Sequence, residues 1–117
     1  MTVAAPAAAE LPPYVYEQAR READTVLVLT VSEVSRLAQG ETEGACRLTG
    51  RVDGVERGEA PAAGQTVNVD LPCVSKDYIP MPGPFPGYDQ DALGKVAHVR
   101  VWLKDGALVR RGLDVID

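Results

Sequence analysis

Aromatic residues, histidine and cysteine are scarce in this chain, and each shortage removes a class of function. Its 117 residues include one tryptophan, one phenylalanine, four tyrosines, one histidine and two cysteines. Two cysteines and a distant histidine match no recognised zinc spacing, so neither a metal nor a cofactor is expected. Lysine-rich runs are also missing: 12 basic against 17 acidic residues give a formal charge of -5, with the arginines scattered. A surface that tracks phosphates needs clustered cations, which argues against nucleic acid as a partner. Nothing approaches the ~18 consecutive apolar residues of a membrane span. The length suits one domain with a modest core.

What is present is alternation. Cys46, Leu48, Gly50 and Val52 step along one face of a segment, and Val67, Val69, Leu71 and Cys73 along one face of another, with Arg47, Thr49, Arg51, Asn68, Asp70 and Pro72 opposite. A two-residue period of this kind marks a half-buried sheet. Pairing Cys46 with Cys73, Leu48 with Leu71, Gly50 with Val69 and Val52 with Val67 makes a hairpin with the two sulfurs side by side. Three readings of the cysteines follow: a cross-strand disulfide, two buried thiols, or half of a metal site, the last unsupported by spacing. A bridge here would add about 3 to 4 kcal/mol in the chain-entropy picture.

The rest of the chain supplies three more strands and one helix. The opening MTVAAPAAAELPP reads as a disordered or linker tail over 1–12 or as the trailing end of a removed signal peptide. Residues 13–23 carry apolar positions at helical spacing behind two prolines, which suits a short amphipathic helix. Asp24 to Val34 is rich in β-branched residues and apolar on both faces, as a central strand requires. Strands are also expected over 45–57, with bends at Gly50 and Gly54, and over 64–73. The stretch 74–95, with prolines at 80, 82, 84 and 86, reads as an ordered loop or polyproline-like segment. Ala97, Val99, Val101 and Leu103 then alternate against His98, Arg100, Trp102 and Lys104, and Asp105-Gly106 turns the chain into a last strand. The expected fold is mainly β: a five-stranded OB-like, partly open barrel over 13–117 with a short N-terminal helix, a small β-sandwich being the alternative.

The strings ADTVLVLTVSEV, PGPFPGYD and VRVWLKDGALV resemble small bacterial exported domains with the barrel of tissue inhibitors of metalloproteinases and netrin-like modules. The likeness spans roughly residues 22 to 109. Those inhibitors act through an N-terminal cysteine on the protease metal, and this chain has none before Cys46, so metalloprotease inhibition is not implied.

Candidate functional residues are few. If the outward face of the penultimate strand is open, His98, Arg100 and Trp102 form a binding patch with Tyr88, beside a loop carrying Tyr78 and Phe85. The competing reading packs Trp102 under the N-terminal helix. A hydrolase would need His98 and one of Asp77, Asp89 or Asp91 to converge in a pocket, and no spacing points to that. The expectation is a non-catalytic binding module with no catalytic residue. Its partner would be a protein or a cell-envelope component, in the periplasm or outside the cell if the cysteines pair, in the cytoplasm if they do not. No oligomeric state follows from the sequence.

Overall fold

The computed structural model describes residues 11–116, and ten of the tail positions expected over 1–12 lie outside them. The chain runs α1 (Pro13–Glu22), β1 (Thr25–Val34), β2 (Glu43–Arg57), β3 (Thr66–Val74), β4 (Tyr88–Asp89), α2 (Gln90–Leu93), β5 (His98–Lys104) and β6 (Ala107–Val115). These strands form one sheet in the order β4-β3-β2-β1-β5-β6, curled into a half-barrel. All neighbours are antiparallel except the β3–β4 pair. β1 lies centrally, as its apolar content requires.

Curling comes from irregular register. β1 and β2 slip between Val26 and Leu27, Val28 and Leu29, and Val31 and Glu33, so the bends expected at Gly50 and Gly54 fall beside these breaks. Each slip adds twist and bends the ribbon. The concave side is lined by Leu27, Leu29, Cys46, Leu48, Val52, Val69, Leu71, Cys73, Val99 and Val101. These are the inward positions of the alternation, and Leu27, Leu29, Leu48, Val99 and Val101 are fully buried.

The β2–β3 register differs from the sequence expectation by two residues. Cys46 stands opposite Leu71, Leu48 opposite Val69, Gly50 opposite Val67, and Cys73 opposite Gly44. A slip of two preserves every face, which is why the buried set is unchanged although the partners are not. Cys46 and Cys73 are therefore diagonal neighbours. They are joined in a disulfide with their Cα atoms 5.9 Å apart, within the usual span.

A sixth strand lies inside the stretch read as loop. β4 pairs in parallel with β3 through Cys73–Tyr88 and Val74–Asp89, and Asp89 then caps α2 by accepting from the Asp91 N–H at 2.9 Å. Gly87 permits this approach. At φ 149° its missing Cβ would sit 2.8 Å from the Cys73 nitrogen and 2.8 Å from the Pro72 carbonyl carbon. Gly87→Ala must push β4 off β3, and we expect a loss of about 1–3 kcal/mol in urea unfolding, with faster amide exchange at Tyr88 and Asp89. Unchanged exchange at those two amides would show that the contact is dispensable.

At the opposite edge, the Asp105-Gly106 turn has φ 51° and 84°, the left-handed pair that a two-residue hairpin demands. Beyond it β6 bulges. Leu108 faces Leu103 and Leu113 faces Val101, leaving Val109 to Gly112 opposite Trp102 alone.

Candidate functional site

The outward face of β5 carries His98, Arg100 and Trp102 in a row, as the alternation requires. Their surroundings differ. Arg100 forms a two-pronged ion pair with Glu56, at 2.6 and 3.1 Å, which holds the Glu56 carboxyl below its ordinary pKa. His98 is exposed at the start of the strand, opposite Thr30. The Thr30 hydroxyl donates to Asp53, and that bond is the main cause of a lowered Asp53 pKa. Further across the same face Arg47 pairs with Asp70 at 2.9 Å and Thr49 bonds Asn68 at 2.7 Å. This face is a ladder of mutually satisfied polar groups.

Trp102 is covered. The guanidinium of Arg20, from α1, lies 4.0 Å from the centre of its ring, grips both Asp114 carboxylate oxygens at 2.9 and 3.0 Å, and donates to the Arg111 carbonyl. At the same C-terminal end of the helix, Arg57 of β2 donates to the carbonyls of Arg20 and Ala23 at 2.7 and 2.9 Å. That supplies the cation a helix C-terminus favours. α1 has no fully buried residue; Val15, Tyr16 and Ala19 are half-buried on its inner side, and the arginines add the polar ties that seat it.

Tyr88 does not complete a patch with His98 and Arg100. It packs against the core, meets Phe85 edge-on with ring centres 4.9 Å apart, and has its hydroxyl buried. Burial pushes its pKa up, with the nearby Leu113 backbone pulling the other way. Phe85 also lies under the Arg111 guanidinium, at 4.5 Å, and Tyr16 of α1 lies 5.0 Å from the same group. Arg111 thus links the helix, the proline-rich loop and β6. The sequence reading missed it. The signal was present in ALVRRGL, where the doubled arginine and the glycine interrupt the alternation of β6.

The loop between β3 and β4 is the most exposed apolar feature. Ile79 is 77 % exposed and Met81 74 %, alternating with prolines. The loop's base is tied three ways: by the parallel β3–β4 pair, by the Cys73–Cys46 disulfide, and by the Ser75 N–H donating to the Thr42 carbonyl at 2.9 Å. Loops of this length with close ends are often functional.

Three cavities border these elements. One of about 400 Å³ lies between the β1–β2 loop and α2, with Arg36, Glu41, Lys76, Asp77 and Asp91 on its walls. Within it Arg36 pairs with Asp91 at 2.6 Å and lowers the Asp91 pKa. A hydrolase built on this loop required His98 to meet one of these acids, and His98 lines none of the three cavities. Another, of about 280 Å³, opens where β3 and β4 approach the bulge of β6. The third, beside Asp70, is shallow.

Among the described residues no group of three or more His, Cys, Asp or Glu side chains is placed to hold a metal ion. No helix among them is long and apolar enough to cross a membrane. No family model, curated protein or solved structure matches the chain.

Proposed function

We propose that this chain is a small non-catalytic binding module that presents its proline-rich loop to a protein of the cell envelope or the exterior. The observation that carries this reading is the exposure of Ile79 and Met81 on a loop whose two ends are held together. Two large apolar side chains in water gain more from burial by a partner than their ordering costs. Four prolines and a tied base leave little backbone freedom to lose at the same time. The disulfide supports an oxidising compartment, the periplasm or the extracellular space. The polar ladder on the outer face of the sheet gives a partner no comparable anchor.

A photo-crosslinking amino acid at position 79 or 81 is expected to capture one discrete envelope or exterior species in the producing cells. The same probe at Asn68, on the ladder, is expected to capture none. Against that species, the double variant Ile79→Asp/Met81→Asp should bind about 30-fold more weakly, an effect typical of two central anchors. Its thermal stability should match the wild type, because neither side chain is packed. Equal capture from position 68, or undiminished binding by the double variant, would remove the loop from consideration.

A further inference from the structure

We propose that the cleft at the open seam of the half-barrel binds a small apolar carboxylate, a single ring or short chain ending in one acid group. Its walls are Pro72 of β3, Phe85 and Tyr88, and Leu108 and Val109 of β6, with Arg110 and Arg111 at its rim. The volume, about 280 Å³, falls just under the ~300–1,000 Å³ of drug-sized sites, which suits a compact ligand better than a lipid.

Charge decides the ligand class. The whole chain carries -5, yet among the described residues no acidic side chain lines this cleft. The cavity beside α2 has Glu41, Asp77 and Asp91, and the shallow one has Asp70. Most arginines outside the cleft are committed: Arg20, Arg36, Arg47, Arg51 and Arg100 to carboxylates, and Arg57 to the end of α1, while Arg21 is exposed on the helix, away from any apolar wall of the cleft. Arg110 is exposed and has no carboxylate partner among the described residues. A guanidinium beside an apolar wall matches a carboxylate in both shape and charge, since its planar fork donates two parallel hydrogen bonds.

The site is also held open by the fold. Gly112 fixes the bulge that separates Val109 from β5, because a Cβ there would lie 2.6 Å from Val109 Cγ2 and 2.9 Å from the Trp102 carbonyl oxygen. Across the cleft, Phe85 is braced edge-on by Tyr88 and capped by Arg111. Walls fixed before the ligand arrives reduce the ordering cost of binding.

The test is an NMR titration of the full chain with benzoate, hexanoate, benzamide and benzylamine. Benzoate or hexanoate should shift the Phe85, Tyr88, Leu108 and Val109 resonances saturably, while benzamide, of the same shape without charge, should bind at least about tenfold more weakly. Arg110→Glu should reduce benzoate binding by a similar factor and raise benzylamine binding, with an unchanged melting temperature. Equal response to benzoate and benzamide, shifts spread over the surface, or full binding by Arg110→Glu would overturn the assignment. The double variant Ile79→Asp/Met81→Asp should leave benzoate binding intact, so this site and the loop reading succeed or fail separately.

Discussion

Replacing both Cys46 and Cys73 with alanine is expected to lower the unfolding free energy by about 3.5 kcal/mol, the largest single effect in the molecule. The bridge joins positions 27 apart in sequence, and closing a loop of that size removes a corresponding share of the unfolded chain's freedom. Both residues sit in the core, 1 % and 0 % exposed, so the native state also loses packed sulfur. The loss should be read from urea unfolding of the double variant and of the wild type under strong reductant, the reduced wild type losing somewhat less because its sulfurs stay packed. A local signature should accompany it. Tyr88 and Asp89 pair with Cys73 and Val74, so their amides should exchange faster once the anchor is cut. A difference below about 1 kcal/mol would mean that neighbouring packing already supplies the constraint.

Trp102→Ala is expected to cost about 3 kcal/mol, the lower end of the range for truncating a large aromatic, because the side chain is half-buried. The ring pairs across the sheet with Val26, which is only 4 % exposed, and its outer face lies under Arg20. Truncation therefore strips the platform on which the helix cation rests. The Arg20–Asp114 pair should loosen with it, since an ion pair open to solvent on one side contributes little without a fixed geometry. Trp102→Phe should retain most of the stability, since a flat ring remains beneath the guanidinium. Thermal unfolding of the three proteins decides the matter. An alanine variant as stable as the wild type would restore Trp102 to the role of an open recognition residue.

Much of the fold was legible because two-residue periodicity is a strong local code. The inward residues of β2, β3 and β5 are those that alternation selects, and the Asp105-Gly106 turn is where the chemistry of positive φ puts it. Register was less legible. Pairing Cys46 opposite Cys73 and placing it opposite Leu71 leave the same faces buried, so pattern alone does not separate them. The candidate site was read only in part. His98, Arg100 and Trp102 do share a face, but Arg20 lies 82 positions before the tryptophan it covers, and no periodicity links the two. Tyr88 belongs with Phe85 and Arg111, drawn together by the β4 contact at Gly87.

The sequence by itself determined a mainly β chain with one N-terminal helix, a core drawn from alternating apolar residues, and two cysteines on one face. Those follow from side-chain period and backbone preference, which act over a few neighbouring residues. Only the tertiary structure decided which surfaces stay open: the polar ladder closes on itself, Arg20 covers Trp102, and the proline-rich loop and the seam cleft remain exposed. Burial and ion pairing are settled by what the rest of the chain brings alongside, and segments far apart in sequence meet only once the sheet has curled.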